Sequence, residues 1–465
     1  MFIKQFVETG LGNSSYLIGS EESGVAVVVD PVRDAEMYLK AAQDNGVRIT
    51  HIVETHLHAD FVSGSRELSA RTGAVICASA AAGLQFEHLA VIEGDKVQTN
   101  DLTFQVMETP GHSPEHISFL ALEPGAGRPA ALFSGGAIIV GGAARTDLLG
   151  HEHTVPLAHQ LFHTMHEKLS PLPDDLAVYP THGAGSFCAA PTGKERVTTM
   201  GMERRHNHLL RATGEEDFVK RATEGLPSYP TYFLRMRGLN QRGPRILGGI
   251  PKLAPLSPQE VNRHKEGGAL VIDARPGPGY ATGHIPSSYA VPLRDGFATW
   301  VGWVTPPDQP LIIVSRGRET HRDIARQLVS IGYDDLAGFL DGGIPAWEKA
   351  GFPLSELEIV SVYELKSRLS SPRPPVVLDV RQDSEWDEGH IPGAIHIEAG
   401  SVLQELDRLP RDRAIAAHCG SHNRSASALS ILEQNGFTDL ILIKGGWSAW
   451  EKAGFEVERP VRRDG

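Results

Sequence analysis

Thr55-His56-Leu57-His58-Ala59-Asp60-Phe61 is a run of metal-ligand residue types, set just past a short apolar strand signal, Ile49 to Val53, and just before a helical pattern from Ser65 to Arg71. Two histidines at a spacing of two point the same way on extended backbone, so both imidazoles can meet one ion. Asp60, two positions further on, can reach a second ion or hold a histidine in its tautomer. Read alone, the run leaves a second reading open: surface histidines following a strand. Two later turns bear on the choice. Thr109-Pro110-Gly111-His112-Ser113 is a tight turn that ends in a histidine, and Tyr179-Pro180-Thr181-His182-Gly183 follows the apolar run Leu176 to Tyr179 in the same style. Around them, Val25 to Val29, Val75 to Ala78 and Leu102 to Met107 read as strands, and Ala35 to Asn45 as a helix before Gly46. The pattern suits a two-layer sheet between helices, with chemistry carried on turns that rigid strands position.

The order HxHxD, PGHS, PTHG resembles the metallo-β-lactamase superfamily over roughly residues 1 to 250. Within it, Asp30-Pro31-Val32, Ala144-Arg145-Thr146-Asp147 and His166-Glu167-Lys168-Leu169 are similar to the persulfide dioxygenase branch. The resemblance implies an αββα sandwich, metal ligands among His56, His58, His112, Asp60 and His182, and a substrate contact at Arg145. Two positions depart from the family. Phe61 stands where the first motif usually ends in histidine, and Phe133-Ser134-Gly135-Gly136-Ala137 has Gly136 where the family carries an aspartate. In persulfide dioxygenases that aspartate joins two histidines, matching His56 and His112, in a facial triad for Fe(II) with positions open to O2 and the persulfide. What remains is His56, His58 and His112 as a three-nitrogen site, with Asp60 and His182 nearby. The expectation is at most one ion per chain, Fe(II) or Zn(II), or none, and an aspartate restored at position 136 is expected to complete the triad.

The chain has 465 residues, more than one core holds, since single cores stop growing near ~250–300 residues; two to four domains are expected. A formal net charge of −13 argues against nucleic acid as a partner. No run of about 18 apolar residues is present, so no membrane span is expected. The start, Met1 to Phe6, lacks a long apolar stretch of the signal-peptide kind. Cys77, Cys188 and Cys419 make no disulfide framework and fit a reducing cytoplasm. On a helix His159 and His163 would share a face, a possible metal pair, and a solvated face is the favoured reading. Lys194 to Arg211 reads as charged and helical. The breakers Pro227, Pro230, Gly238, Gly243 and Pro244 make residues 225–258 a linker or extended docking arm, with a domain boundary near 250.

An internal repeat follows. Val271-Ile272-Asp273-Ala274-Arg275 recurs as Val377-Leu378-Asp379-Val380-Arg381, and Gly283-His284-Ile285-Pro286 as Gly389-His390-Ile391-Pro392. The stretch Gly342-Gly343-Ile344-Pro345-Ala346-Trp347-Glu348-Lys349-Ala350-Gly351-Phe352 recurs as Gly445-Gly446-Trp447-Ser448-Ala449-Trp450-Glu451-Lys452-Ala453-Gly454-Phe455. A period of roughly 105 residues is too long for a solenoid and right for a duplicated small α/β domain. Strand, D-x-R, GHIP, strand, loop, helix, GG-x-x-AW resembles the rhodanese family. The expected domains are therefore 1–250, 251–355 and 356–465, a metallo-β-lactamase αββα sandwich followed by two rhodanese-like α/β domains.

The copies differ where chemistry would sit. The second reads His418-Cys419-Gly420-Ser421-His422-Asn423-Arg424-Ser425 between a strand at Ala414 to Ala417 and a helix from Ala426. A loop curling onto a helix N-terminus aims backbone N–H groups at one point, which stabilises a thiolate and the persulfide formed from it. Cys419 and Arg424 match the rhodanese catalytic positions, with Gly420, Ser421, His422, Asn423 and Ser425 as the substrate-binding loop. Arg424 adds positive charge for an anionic donor such as thiosulfate. The family usually has glycine where His422 stands. In the first copy Ser315 falls at the place of Cys419, and an alkoxide is inaccessible near neutral pH, so that copy is expected to be silent. The whole order resembles persulfide dioxygenase–rhodanese fusions, which implies thiol persulfide, thiosulfate, sulfite or a low-molecular-weight thiol as small-molecule partners. Two other classes stay open: a non-catalytic sulfur-binding or regulatory protein, and a single-metal hydrolase. Self-association is left open by the sequence.

Overall fold

In the computed structural model residues 1–123, 125, 127–189 and 193–459 are described, so the last six residues of the third expected domain lie outside the described residues. The chain forms two compact units, residues 1–250 with 329–332, and residues 251–328 with 333–465.

The first unit holds two six-stranded sheets. One runs β1 (Phe2–Glu8), β2 (Asn13–Ser20), β3 (Val25–Val29), β4 (Arg48–Val53), β5 (Val75–Ser79) and β6 (Leu89–Val91) in chain order. The other comprises β7 (Lys96–Gln98), β8 (Thr103–Glu108), β9 (Ile117–Leu122), β10 (Pro129–Gly135), β11 (Ala177–Pro180) and β12 (Thr198–Thr199), again in chain order. Period-two alternation decides what each face meets. Phe104, Val106, Ile117, Phe119 and Phe133 join Tyr16, Ile18, Val25, Val27 and Val29 from the first sheet in one core. The intervening Met107, Leu120, Leu122 and Leu132 face a second core, with Leu161, Met165 and Phe218 from the helical layer. The two sheets are thus sandwiched face to face between helices, as the motifs implied.

Two local expectations are corrected. Within Lys194–Arg211 only Met200–His206 is α-helical: Thr199 caps its start by accepting from the Met202 N–H, and the buried Asn207, at extended φ and ψ, ends it. Residues 225–258 are no simple linker, because they contain the ten-residue helix Phe233–Arg242. Its Asn240 amide donates to the carbonyls of His58 (2.8 Å) and Phe61 (2.9 Å) and accepts from the Ser63 N–H (2.9 Å), while the Tyr232 hydroxyl just before it donates to the Asp60 carbonyl (2.8 Å). The segment is a strap across the His56–Phe61 loop. His159 and His163 sit on an exposed helix face against Glu215 and Glu167, the solvated arrangement expected.

The second unit contains two five-stranded parallel sheets with the same strand order. They run β13 (Pro255–Leu256), β17 (Leu336–Leu340), β16 (Leu311–Val314), β14 (Leu270–Asp273), β15 (Tyr289–Ala290), and β18 (Glu358–Val360), β22 (Leu440–Ile443), β21 (Ile415–His418), β19 (Val376–Asp379), β20 (Ile395–His396). Central strands such as Leu311–Val314 and Leu440–Ile443 are apolar throughout because both faces of a parallel sheet are covered. The repeated motifs have repeated jobs. Arg275 clasps Asp273 and the Gly283 carbonyl, as Arg381 clasps Asp379 and the Gly389 carbonyl. The Trp347 and Trp450 indoles donate to the Pro353 and Glu456 carbonyls, closing each GG-x-x-AW turn.

Candidate functional site

In the first unit the ligand-type residues gather at strand ends. Asp30, at the end of β3, holds φ at 47°. Its carboxylate accepts from the Thr55 N–H and hydroxyl, both at 2.7 Å, and from the Thr181 hydroxyl, so one anion ties together the loops bearing His56 and His182. Because the Thr55 proton goes to Asp30, His56 Nδ1–H must donate to Thr55 Oγ1 (2.8 Å), which leaves the Nε2 lone pair free. His112 Nδ1–H donates to the Arg145 carbonyl (2.7 Å) with the same consequence. His182 puts Nδ1 3.5 Å from the Asp60 carboxylate, itself held by Asn13 at 2.8 Å, and its Nε2 lies 3.2 Å from His56 Nε2. His56, His112 and His182, all buried, offer nitrogens within 4.8 Å of one another. Burial and neighbouring histidine charges pull His56 well below its usual pKa, and burial with the His182 charge brings His112 down to about 4. Both are neutral near pH 7, as metal ligation requires. The residues present therefore fit a single ion on three nitrogens, each ring oriented by a partner on its far side.

The three-histidine group thus takes His182 in the place expected for His58. His58 also belongs to two overlapping groups, Asp30–His56–His58 and His58–Asp60–His182. Its Nε2 lies 3.4 Å from Asp30 and 3.3 Å from Glu54. Burial opposes its charge, yet Asp30 and then Glu54 hold the imidazole well above its usual pKa, which makes it a counter-ion to two carboxylates. The Phe61 ring, fully buried, stacks on it at 4.2 Å between centroids. An apolar ring and a charged imidazole thereby occupy the space beside the three-histidine group.

One residue of the site was not singled out in the sequence. His116 stacks on His56 at 5.0 Å, bonds Thr109 Oγ1 through Nδ1 (2.8 Å), and accepts the Gly136 N–H at Nε2 (2.9 Å). Both nitrogens are spent, so it orients rather than ligates. It sits four positions past His112, a spacing that offered the only signal. Gly136 is correspondingly crowded: a Cβ there would lie 2.8 Å from His112 Cδ2 and 2.9 Å from Ala144 Cβ. Restoring a carboxylate at 136 therefore does not simply complete a triad, against the expectation from the family pattern. Arg145 is buried, paired with Asp147 (2.6 and 2.7 Å) and the Phe187 carbonyl, with its guanidinium 4.8 Å from the Tyr229 ring. Its visible work at the site is the carbonyl that orients His112. A cavity of about 260 Å³ borders His112, lined also by Leu57, Ala59, Ser113, Leu149, Phe233 and Arg237, among others.

In the second unit Cys419 follows β21, and its loop turns into the helix Asn423–Gln434. The loop carbonyls are held from outside: Trp447 N–H donates to Cys419 O (2.7 Å) and the Ser448 N–H and hydroxyl to Gly420 O. Among the described residues, the N–H groups of Gly420, Ser421, His422, Asn423 and Arg424 have no hydrogen-bond partner, so they stay available to an anion. Gly446, at φ 54°, makes this close approach possible, since a Cβ there would lie 2.2 Å from the Cys419 carbonyl oxygen. His422 has φ −164°, which requires no glycine. Arg424 grips Glu385 with two parallel bonds, one of 2.7 Å. Cys77 and Cys188, by contrast, are buried thiols whose pKa is pushed up, Cys77 to about 12.

The first copy keeps the frame without the thiol. Ser315 bonds His321 Nε2 at 2.9 Å, and the chain beyond it forms a short 3-10 turn, Arg318–Thr320. No loop presses on Gly343, whose added Cβ would meet nothing closer than 3.8 Å. A cavity of 490 Å³ opens there instead, lined by Arg275, Ser315, Arg316, Arg318, His321 and the Gly342–Gly343 turn, among others.

Comparison with known families and proteins agrees with this division. Residues 9–182 match the metallo-beta-lactamase superfamily, and residues 257–350 and 361–453 each match the rhodanese-like domain. The human protein named persulfide dioxygenase ETHE1, mitochondrial, is 30% identical over 203 residues, covering 42% of this chain and 74% of that one. A hydroxyacylglutathione hydrolase of a Polaromonas species is 30% identical over 261 residues, covering 50% of this chain and 95% of the relative. Among solved structures, a metallo-beta-lactamase from Staphylococcus aureus superposes with a TM-score of 0.65 at 32% identity, covering 73% of this chain and 98% of its own.

Proposed function

The chain belongs to the metallo-β-lactamase superfamily, extended by two rhodanese-like domains and related to persulfide dioxygenase, and on that premise of sulfur metabolism we propose that it transfers sulfane sulfur through a persulfide on Cys419. The observation that carries this reading is the Cys419 loop, with its carbonyls fixed outward and its N–H groups unclaimed. The thiolate attacks the outer sulfur of thiosulfate, the S–S bond breaks, and sulfite leaves with the bonding electron pair. A thiol then attacks the Cys419 persulfide, taking the outer sulfur and restoring the thiolate. The free N–H groups hold the anionic persulfide between the two half-reactions.

The first unit is proposed to hold one metal ion, Fe(II) or Zn(II), on His56, His112 and His182. Such an ion would supply a Lewis-acid position for a persulfide sulfur and, as Fe(II) but not as redox-inert Zn(II), a centre able to take up O2. The chain's own residues fix the ring orientations through Thr55, the Arg145 carbonyl and Asp60. Hydrolysis, suggested by the hydroxyacylglutathione hydrolase similarity, is the second reading; Phe61 and the His58 counter-ion stand against a two-metal version of it.

Cys419→Ser is expected to abolish thiosulfate-to-thiol sulfur transfer, while Ser315→Ala leaves the rate within about twofold, the range of an uninvolved surface group. A steady-state assay of both variants decides it. Retention of transfer in Cys419→Ser, or equal loss in both, would remove the assignment.

A further inference from the structure

Two cavities border the three-histidine group, and they differ in what they can hold. The one against His56 and His58 has a volume of about 20 Å³, room for about one water molecule. The other, against His112, measures about 260 Å³. A substrate of this centre therefore fits on the His112 side.

The polar groups in the wall of the larger cavity are already engaged. His112 gives its Nδ1–H to the Arg145 carbonyl (2.7 Å), which leaves Nε2 for the ion. The Ser113 hydroxyl donates to the Glu115 carboxylate (2.9 Å), and Arg237 pairs with the same oxygen at 2.8 Å. Glu115 is buried and also accepts the Leu57 N–H (3.1 Å). One carboxylate thus draws the metal loop, the His112 turn and the strap helix into a single wall. It cancels the Arg237 charge as it does so, and the cavity offers a ligand no net cation. The other side chains of the lining are those of Leu57, Ala59, Leu148, Leu149, Phe233 and Leu234, all hydrocarbon.

Such a wall sorts ligands by polarity. A glutathione moiety brings carboxylates, an ammonium and amides, and each of these buried without a partner weakens binding by roughly tenfold or more. A buried methylene does the reverse, by roughly fourfold. We propose that the cavity beside His112 selects small apolar thiol persulfides, their hydrocarbon part lying against the leucines and Phe233. It discriminates against the glutathione part named in the hydroxyacylglutathione hydrolase relative. This names the substrate class of the metal site and rests on the three-histidine reading of that site. The selection makes and breaks no bond.

The test uses the full chain as the Cys419→Ser variant, which removes the second thiol centre. One sample is loaded with Zn(II), which is redox-inert, so binding is read without turnover; a parallel sample is freed of metal by chelation. Calorimetric titration uses ethanethiol, butanethiol and hexanethiol as stable stand-ins for the persulfides. Affinity is expected to rise roughly fourfold per added methylene until the cavity is full. Glutathione should bind at least about tenfold more weakly than butanethiol. Leu149→Asn and Leu234→Glu change the lining at a half-buried position and at one 68% exposed, where the fold tolerates a polar group. Each should lower hexanethiol affinity by roughly three- to tenfold with metal content unchanged. A response that does not change with chain length overturns the proposal. So does glutathione binding more tightly than butanethiol and weakened by Arg237→Gln, which would make Arg237 an anion anchor. Failure to take up Zn(II), with the chain-length increment intact in metal-free protein, would instead remove the metal assignment and leave the apolar cavity standing.

Discussion

At Gly136 the space for a side chain is already taken. The obstacle is steric, since no left-handed φ is required there, and the neighbours at 2.8 and 2.9 Å are the His112 ring and the Ala144 methyl group. An aspartate would push His112 off the Arg145 carbonyl that orients it, and would disturb the Gly136 N–H bond to His116. Gly136→Asp is therefore expected to lower stability by about 1–3 kcal/mol, the usual cost of overpacking, and to reduce bound metal. Thermal melting together with metal analysis checks both, and a stably folded variant richer in iron than wild type would show that the pocket opens to admit the carboxylate. His56, His112 and His182 were legible because ligands on turns leave a spacing in the sequence. His116 was not, because its role is set by a backbone N–H twenty residues away. The same holds for His58, whose alliance with Asp30 and Glu54 depends on how two strands are brought side by side.

Segments show a parallel contrast between what pattern reveals and what contact decides. The repeat disclosed both α/β domains because each motif has a local job, such as the Asp379–Arg381 clasp. The helix Phe233–Arg242 escaped notice because Pro230 and Gly238 look like breakers, and what holds it is tertiary. The Asn240 side chain alone serves two carbonyls and one N–H of the His58–Ser63 stretch, and each such buried group left unpaired costs about 1–3 kcal/mol. The two GG turns allow a controlled test of the cysteine loop. Gly446 and Gly343 have φ of 54° and 61°, so a methyl group at either carries a similar backbone cost of about 1 kcal/mol. Only at Gly446 would that methyl also strike the loop, 2.2 Å from Cys419 O and 2.6 Å from Ser421 O. Gly446→Ala should thus cut sulfur transfer by at least about tenfold, while Gly343→Ala changes it little. Equal activities at matched thermal stability would show that the GG turn does not support the loop.

Over the whole chain, the residues assigned to the metal site lie in the first compact unit and those around Cys419 in the second. Each set is complete within its unit: three histidines with Thr55, Arg145 and Asp60 behind them, and a thiol with its loop and Glu385. Within the first unit, Phe61 and the charged His58 leave space for one ion, so metal analysis of the protein as purified should find no more than one tightly held ion per chain. Chelation, or His112→Ala, should empty that site, because loss of a ligand removes far more affinity than the ~10–100-fold of an orienting partner. Thiosulfate-to-thiol transfer by the same samples should remain within about twofold of wild type, since no metal ligand belongs to the unit that carries Cys419. Conversely, Cys419→Ser should keep the full metal content while losing transfer. A second tightly bound ion would mean that His58 gives up its carboxylates to ligate. Loss of transfer on chelation, in protein that still melts cooperatively, would mean that the two centres work as one.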